Sequence, residues 1–409
     1  MRYVIIGNSA AAVGCVEGIR EKDKEGRIVI IADEKYHTYS RPLISYLLMG
    51  KTDLKRIKYR PESFYADNGC ETMLGRTVIK IDPGKKTVML EDESEISYDK
   101  LMAATGSRPF VPPIPGLEKV KNSTSFMSLD DLEKLRTMLR PDSKVMILGA
   151  GLIGLKCAEC LIGRAGKITV VDMAPRILPS ILDSEGAGIV QKHLEKQGVE
   201  FILDDSAAEF SENSALLKSS KTVDFDLLVT AVGVRPNTSL ISGCGGRVGR
   251  GVSVNESCET SIPDIYSAGD CSEGFDSALG DTRILAILPN AYMQGNVAGI
   301  NMAGGRAVHE KAIAMNAIGF CGLHIITAGV YEGSSFIKRD GDNYKALFYK
   351  DNALKGYILV GDVARAGIYT SLIREKTPLD SLDFDLIKDR PQLMAFAKKE
   401  RGAFMGEVR

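Results

Sequence analysis

Two glycine-rich turns, each led by a short apolar run, constrain this chain more than any other feature; they lie 142 residues apart, from Gly7 to Gly149 (149 minus 7). In the second, VMILGAGLIG at 145–154 runs into a helix-length stretch and then into the strand ITVVD, which ends at Asp172. A strand, a tight glycine turn, a helix and a second strand ending in an acid make the unit that grips a dinucleotide. Gly149 allows the tight turn, Gly151 lets the main chain close on a pyrophosphate, and Gly154 lets helix and strand pack. The phosphates then meet a helix N-terminus, whose free N–H groups and dipole favour negative charge, by roughly 0.3 to 2 kcal/mol for the dipole part. Asp172, 23 residues beyond Gly149 (172 minus 149), is placed to accept from the adenosine ribose hydroxyls and to repel a 2′-phosphate. That favours NADH over NADPH, with Arg176 close enough in sequence to receive the extra phosphate.

The first turn is less orthodox. YVIIGNSAAAVG puts Gly7, Ser9 and Ala12 where three glycines are expected, and Ser and Ala are small enough to keep the approach. The following strand, RIVIIADE at 27–34, ends in Asp33 and Glu34, either of which can hold a ribose. One such site is weak evidence, whereas two point to a flavin meeting a nicotinamide.

Composition narrows the class. With 409 residues the chain should form two or three domains, each with a buried core. Its 52 basic and 53 acidic residues leave a net charge of −1, so nothing argues for nucleic acid or an anionic membrane. No apolar stretch approaches the roughly 20 residues that span a bilayer, and MRYVII runs directly into a core strand, leaving no room for a signal peptide. Eight scattered cysteines predict a reducing, cytoplasmic setting. Histidines 37, 193, 309 and 324 are too dispersed for a metal site, and no C-x-x-C pair has a mate for zinc.

Apolar runs such as YVII, IVIIA, VMIL, ITVV and LLVTA alternate with helix-length segments, the pattern of parallel strands covered on both faces. The predicted fold is therefore α/β and doubly wound. Between 77 and 104, TVIKID, KTVML and ISYDKLMAAT, separated by PGK and EDESE, predict a small antiparallel meander. RPFVPPIPG at 108–116 predicts an extended linker, and a second boundary falls near AVGVRPN at 231–237. From about 311, HIITAGVY, SSFIKRD, YKALFYK and LKGYILVG predict an antiparallel sheet, with a helix near 363–375.

GNSAAA near the start, YSRPLIS at 39–45, ATGSRP at 104–109, GAGLIG at 149–154, AVGVRPN, DIYSAGD at 264–270 and LPNAYMQG at 288–295 follow one another in order. In this the chain resembles the FAD-dependent pyridine nucleotide-disulfide oxidoreductase superfamily, most of all its branch of NADH-rubredoxin reductases, ferredoxin reductases and nitrite reductase flavin domains. The resemblance implies two doubly wound dinucleotide-binding domains, for FAD and NAD, each with an antiparallel meander, and a C-terminal α+β interface domain. It implies a discontinuous FAD domain at 1–110 and 238–308, an NAD(P)H domain at 111–237, and an interface domain at 309–409 that supports a homodimer. Gly7, Ser9 and Ala12 would hold the FAD pyrophosphate, Glu34 or Asp33 its adenosine ribose, and Arg41 and Pro42 would line the cleft. Thr105 and Gly106 would pass beneath FAD, Asp270 would accept from its ribityl chain or a phosphate-linked hydroxyl, and Asn290, Ala291 and Gln294 would start a helix facing its pyrimidine edge. Ile153 and Gly233 would join Gly149, Gly151, Gly154 and Asp172 around NAD.

Departures from the superfamily shape the expected reaction. Its disulfide reductases carry a cysteine pair on the first helix or a single cysteine in the segment that here reads YSRPLIS, and neither is present. Cys15 stands alone, and Cys157 and Cys160 fall at helical spacing from Ile153, an ordinary apolar stripe. Relatives with RPxLSK pair its lysine with a glutamate after the second glycine turn, and the corresponding residues here are Tyr46 and Lys156. Lys156 is expected to take over the cationic role beside the flavin from the opposite side. The implied activity is an NADH-dependent FAD oxidoreductase passing electrons through flavin N5 to rubredoxin, ferredoxin or another iron-sulfur acceptor. Alternatives are an NADH oxidase, a disulfide or polysulfide reductase, and an electron-transfer subunit of a nitrite reductase-like or 2-oxoacid oxidoreductase-like complex.

Overall fold

The computed structural model describes residues 1–396, so the end of the predicted 309–409 segment lies outside the described residues. The apolar runs become two five-stranded, all-parallel sheets. In the first, the strands run Ile265–Ser267, Lys100–Ala103, Arg2–Ile6, Arg27–Ala32, Cys70–Leu74 across the sheet. The second runs Val199–Ile202, Lys167–Val171, Lys144–Leu148, Leu227–Thr230, Ser123–Thr124. Each centre strand is apolar beyond its first residue because both sheet faces are covered, and Val4, Ile5, Met146 and Ile147 are fully buried. This is the predicted doubly wound α/β architecture, present twice.

Each sheet carries a three-stranded antiparallel meander: Val78–Asp82, Thr87–Leu90, Glu95–Ser97 on the first, and Ala207–Phe210, Ser214–Leu217, Thr222–Asp224 on the second. One reading needs correction here. ISYDKLMAAT is not a single meander strand; Glu95–Ser97 pairs with the meander, while Lys100–Ala103 enters the main sheet parallel to Arg2–Ile6. The two chain crossings pair with each other, Ser107–Pro109 running antiparallel to Val234–Pro236.

The helix Ala10–Lys22 lies against Leu288–Met302 at backbone distance. A Cβ on Gly14 or Gly18 would run into the Tyr292 or Asn296 carbonyl, and one on Gly295 or Gly299 into the Ala11 or Cys15 carbonyl. Both helices present a small-residue face at four-residue spacing, so the later helix is locked beside the first glycine turn. The chain then forms an antiparallel sheet ordered Met315–Phe320, Leu323–Gly329, Ala353–Val360, Asn343–Lys350, Ser334–Asp340, backed by the helix Ala366–Arg374. Its first strand, MNAIGF, was not predicted, since Asn316 and Gly319 dilute its strand signal.

Candidate functional site

Both glycine turns adopt one geometry. Gly7 and Gly149 have φ of +115° and +114°. A side chain on either would collide with a neighbouring carbonyl, that of Ala104 or that of Ala231, each just beyond the adjacent parallel strand. Only glycine tolerates both demands. Ser9 and Gly151 are the N-caps of the two following helices, and neither helix has an acid in its first turn. The Ser9 hydroxyl makes no cap bond, and a Cβ on Gly151 would meet nothing within 4 Å, so both N-termini stay open to an anion. Ala12 is buried, while Gly154 sits on the Gly149 carbonyl with no room for a methyl group. These features fit a pyrophosphate at each turn.

The acids at the strand ends differ in state. Asp33 is exposed and accepts from the Glu34 N–H at 2.9 Å. Glu34 is braced: Arg41 pairs with one oxygen at 2.5 Å, and the Tyr39 hydroxyl donates to the other at 2.6 Å. Arg41 also donates to the Tyr39 hydroxyl at 3.2 Å and to the Met127 carbonyl at 3.1 Å, which ties YSRP to the link between the edge strand Ser123–Thr124 of the second sheet and the helix that follows it. Pro42, exposed, opens a short 3-10 turn, Arg41–Leu43. Burial raises the Asp270 carboxyl above its usual range, opposed by the Ser107 hydroxyl, 3.3 Å away, and by the Arg41 charge. Arg41 and Asp270, 229 residues apart in sequence (270 minus 41), thus come near enough for the one charge to act on the other.

Thr105 and Gly106 meet the other chain crossing. The Thr105 hydroxyl donates to the Asn237 carbonyl at 2.7 Å, the Asn237 amide donates back to the Thr105 carbonyl at 2.8 Å, and the Asn237 N–H donates to the Gly106 carbonyl at 2.9 Å. Gly233, with φ of +111° and open space at its Cβ position, accepts from the Phe110 N–H at 3.0 Å. Asn290 and Ala291 fall in the first turn of Leu288–Met302 and are buried. Asn290 Nδ2 donates to the Leu285 carbonyl at 3.0 Å, and its buried Oδ1 has no hydrogen-bond partner, an acceptor left over at a helix N-terminus. Gln294 lies a turn deeper, where its Oε1 accepts from the Gly269 N–H at 2.9 Å and so fixes the turn that presents Asp270.

On the second turn, Asp172 accepts from the Ala150 N–H at 2.6 Å and the Ala174 N–H at 2.8 Å, which fixes its carboxylate at the loop mouth. Ile153 is half-buried in the first turn of Leu152–Leu161. Arg176 is turned away, donating to the Leu182 carbonyl at 3.2 Å and more weakly to that of Pro179 at 3.5 Å.

Tyr46 and Lys156 are in contact. The Lys156 ammonium lies 5.1 Å from the centre of the Tyr46 ring and 5.5 Å from that of Phe320, pairs with Glu159, and donates to the Gly319 carbonyl at 3.0 Å. Glu159 is 7% exposed and accepts from the Cys321 N–H at 2.7 Å. This lysine is no solvated helix residue; it joins the short helix Ile44–Leu48, the helix Leu152–Leu161 and the C-terminal sheet. Cys157 and Cys160 are fully buried, and burial holds the Cys157 thiol well above its usual range. Burial and Glu159 raise the Cys321 thiol too, against the pull of Lys51 and Lys156. Neither environment favours a thiolate.

Sequence reasoning missed Tyr39, Ser107, Asn237 and Glu159. The first three lay inside motifs already singled out and were passed over because their partners are remote.

The chain matches the pyridine nucleotide-disulphide oxidoreductase family over residues 1–295. It is 31% identical to the nitrite reductase [NAD(P)H] of Bacillus subtilis, covering 92% of this chain but only 48% of that protein, so it spans about half of that relative. It is 30% identical to the epsilon subunit of the NADH-dependent phenylglyoxylate dehydrogenase of Aromatoleum evansii, covering 93% of each chain. Similarity to the NADH-rubredoxin oxidoreductase of Clostridium acetobutylicum is 28%, over 89% of this chain and 92% of that one. Among solved structures, a NAD-dependent persulfide reductase from A. fulgidus superposes with a TM-score of 0.86 at 27% identity, covering 93% of this chain and 78% of that one. With paired glycine cradles and a family match over most of its length, this chain belongs to the pyridine nucleotide-disulphide oxidoreductase family, enzymes that work with FAD and a pyridine nucleotide.

Proposed function

We propose that this protein oxidises NADH at the second glycine turn and passes the electrons, through FAD held at the first, to an iron-sulfur protein of the rubredoxin or ferredoxin kind. The single observation that carries the reading is the matched pair of glycine cradles, beside which Cys157 and Cys160 are fully buried and the Cys157 thiol is held well above its usual range by that burial. When bound, FAD supplies the two-electron to one-electron conversion that such an acceptor needs. The protein's own part is positional. Gly7, Ser9 and Ala12 receive one pyrophosphate, with Glu34 or Asp33 at its ribose, Arg41, Pro42, Thr105, Gly106 and Asp270 along the cleft, and Asn290, Ala291 and Gln294 at the far end. Gly149, Gly151, Ile153, Gly154 and Gly233 receive the other, and the fixed Asp172 carboxylate favours NADH. In this reading 1–110 and 238–308 form the FAD half, 111–237 the NAD half, and the sheet from 309 onward a homodimer interface. Support comes from the strand Ile265–Ser267, which joins the first sheet, and from the reciprocal bonds of Thr105 and Asn237. Eight unpaired cysteines support a reducing, cytoplasmic setting. No helix of the described residues is long and apolar enough to cross a membrane.

A second reading, an electron-transfer subunit of a larger complex, is favoured by the match along 93% of both chains to the phenylglyoxylate dehydrogenase subunit. One anaerobic experiment separates the readings. The flavin is bleached with one equivalent of NADH, then mixed with oxidised rubredoxin or with oxygen. Rapid return with rubredoxin and slow return with oxygen supports the carrier reductase. Fast return with oxygen alone makes the protein an oxidase, and return with neither points to a missing partner complex.

A further inference from the structure

We propose that the basic surface around the short helix Ile44–Leu48 and the loop after it docks an acidic iron-sulfur protein, a proposal that rests on the carrier-reductase reading. Residues 46–60, YLLMGKTDLKRIKYR, hold five basic residues and one acid, a net of +4 (5 minus 1) in a chain of net −1. Lys58 and Arg60 are occupied by Glu62 and Glu17, and Arg56 is shared with Asp53 at 2.9 Å. Lys51 and Lys55 are exposed, and no carboxylate of the described residues stands within salt-bridge distance of either. Two large apolar side chains break the surface in the same stretch, Leu54 at 58% exposure and Tyr46 at 37%. Exposed apolar residues set among unpaired cations match what a small acidic redox partner needs: an electrostatic rim for encounter and an apolar centre for contact.

Its place in the fold is what makes this surface useful for electron transfer. The Lys51 ammonium lies 5.7 Å and that of Lys156 5.1 Å from the centre of the Tyr46 ring, so the patch begins at the seam between the two nucleotide halves. The second half also holds the carbonyl end of the short helix in place. Arg136 donates to the Leu47 carbonyl at 3.1 Å and Arg164 to the Met49 carbonyl at 2.8 Å. A partner seated there touches the segment that follows Arg41 and Pro42, which Tyr46 joins to Lys156 on the helix behind the second glycine turn. Charge argues against the other occupants. A second copy would bring the same positive surface onto itself, and residues 397–409 carry four basic residues against two acids.

The test uses the flavin-loaded full chain and its Lys51→Glu/Lys55→Glu/Arg56→Glu variant, with NADH as donor. Oxidised rubredoxin, a [2Fe–2S] ferredoxin and a neutral quinone serve in turn as acceptors. The expected result is a rise of about tenfold or more in KM for the acidic proteins at low salt, which disappears near about 0.5 M salt, where the screening length is only a few Å. Flavin content and quinone reduction should stay at the wild-type level, which shows that the variant is folded and reduced normally. An unchanged KM for an iron-sulfur acceptor that the wild type does reduce overturns the docking surface and leaves the functional reading intact. A wild type that reduces the quinone but neither iron-sulfur protein overturns the functional reading, and the surface falls with it.

Discussion

Lys156 and Tyr46 stand in cation–π contact at 5.1 Å, joining the helix behind the second glycine turn to the segment that follows Arg41 and Pro42. The contact is held from below by Glu159, which is 7% exposed. Lys156→Met removes the cation and leaves that carboxylate buried without it, a change that costs about 3 to 5 kcal/mol in buried pairs. The variant is expected to lose about 3 kcal/mol in denaturant unfolding, and Lys156→Met/Glu159→Gln to recover most of it. In the flavin-loaded protein Lys156→Met should also move the flavin midpoint potential negative by about 20 mV, the equivalent of about 1 kcal/mol on a two-electron couple. An unchanged potential removes the electrostatic role from Lys156 and leaves it a structural tie.

The glycines of the second turn separate binding from folding. Gly154 rests on the Gly149 carbonyl, so Gly154→Ala forces the helix off the strand and should lower stability by about 2 kcal/mol. Nothing stands within 4 Å of a Cβ on Gly151, so Gly151→Ala should keep stability within about 0.5 kcal/mol of wild type. Its methyl group would instead occupy the approach to the nucleotide, and KM for NADH is expected to rise about tenfold. Thermal unfolding beside NADH titration of flavin bleaching reads both. If Gly151→Ala melts early and binds normally, the roles assigned to the two glycines are wrong.

What the sequence made legible was local. The glycine turns, their strands and the terminal acids are encoded within some 30 residues each, because positive φ, helix start and apolar strand are short-range demands. The relations that close the cleft were not legible. Thr105 meets Asn237 across 132 residues, Gly14 meets the backbone of Tyr292, and Glu159 reaches the Cys321 N–H across 162 residues. No spacing rule links such pairs. ISYDKLMAAT misled for a related reason: a meander strand and a core strand abut there, and the change of direction at Tyr98 and Asp99 breaks no apolar pattern. Lys156 on the helix face offered no sign that Gly319 and Phe320 would cover it.

Asp172 is expected to set the choice of nucleotide. Its carboxylate is fixed by the Ala150 and Ala174 N–H groups at the mouth of the turn, where a 2′-phosphate would meet a negative charge. Arg176 faces the Leu182 and Pro179 carbonyls and offers no counter-charge in this arrangement. Asp172→Ala should therefore cut the ratio of kcat/KM for NADH over NADPH by about tenfold, or about 1.4 kcal/mol of discrimination. Steady-state kinetics with both nucleotides and the neutral quinone decide the matter; an unchanged ratio would place the discrimination elsewhere.

His309 is expected to make the fold less stable in acid. Its ring is 8% exposed, its Nε2 is buried without a hydrogen-bond partner, and burial lowers its pKa below the ordinary 6.5, with a bond to its own backbone acting the other way. In the window between the lowered value and 6.5, the unfolded chain binds the proton and the folded chain does not. Stability from this group is therefore complete above 6.5 and is lost as pH falls through the window, so acid favours unfolding. Replacing the ring by a group of similar size that does not titrate, His309→Gln, should flatten the fall in unfolding free energy between about pH 7 and about pH 5. Urea denaturation at several pH values, with wild type and variant side by side, measures the two slopes. Equal slopes would mean that the imidazole takes up its proton inside the fold as readily as outside it, and that the site around His309 opens to water in solution.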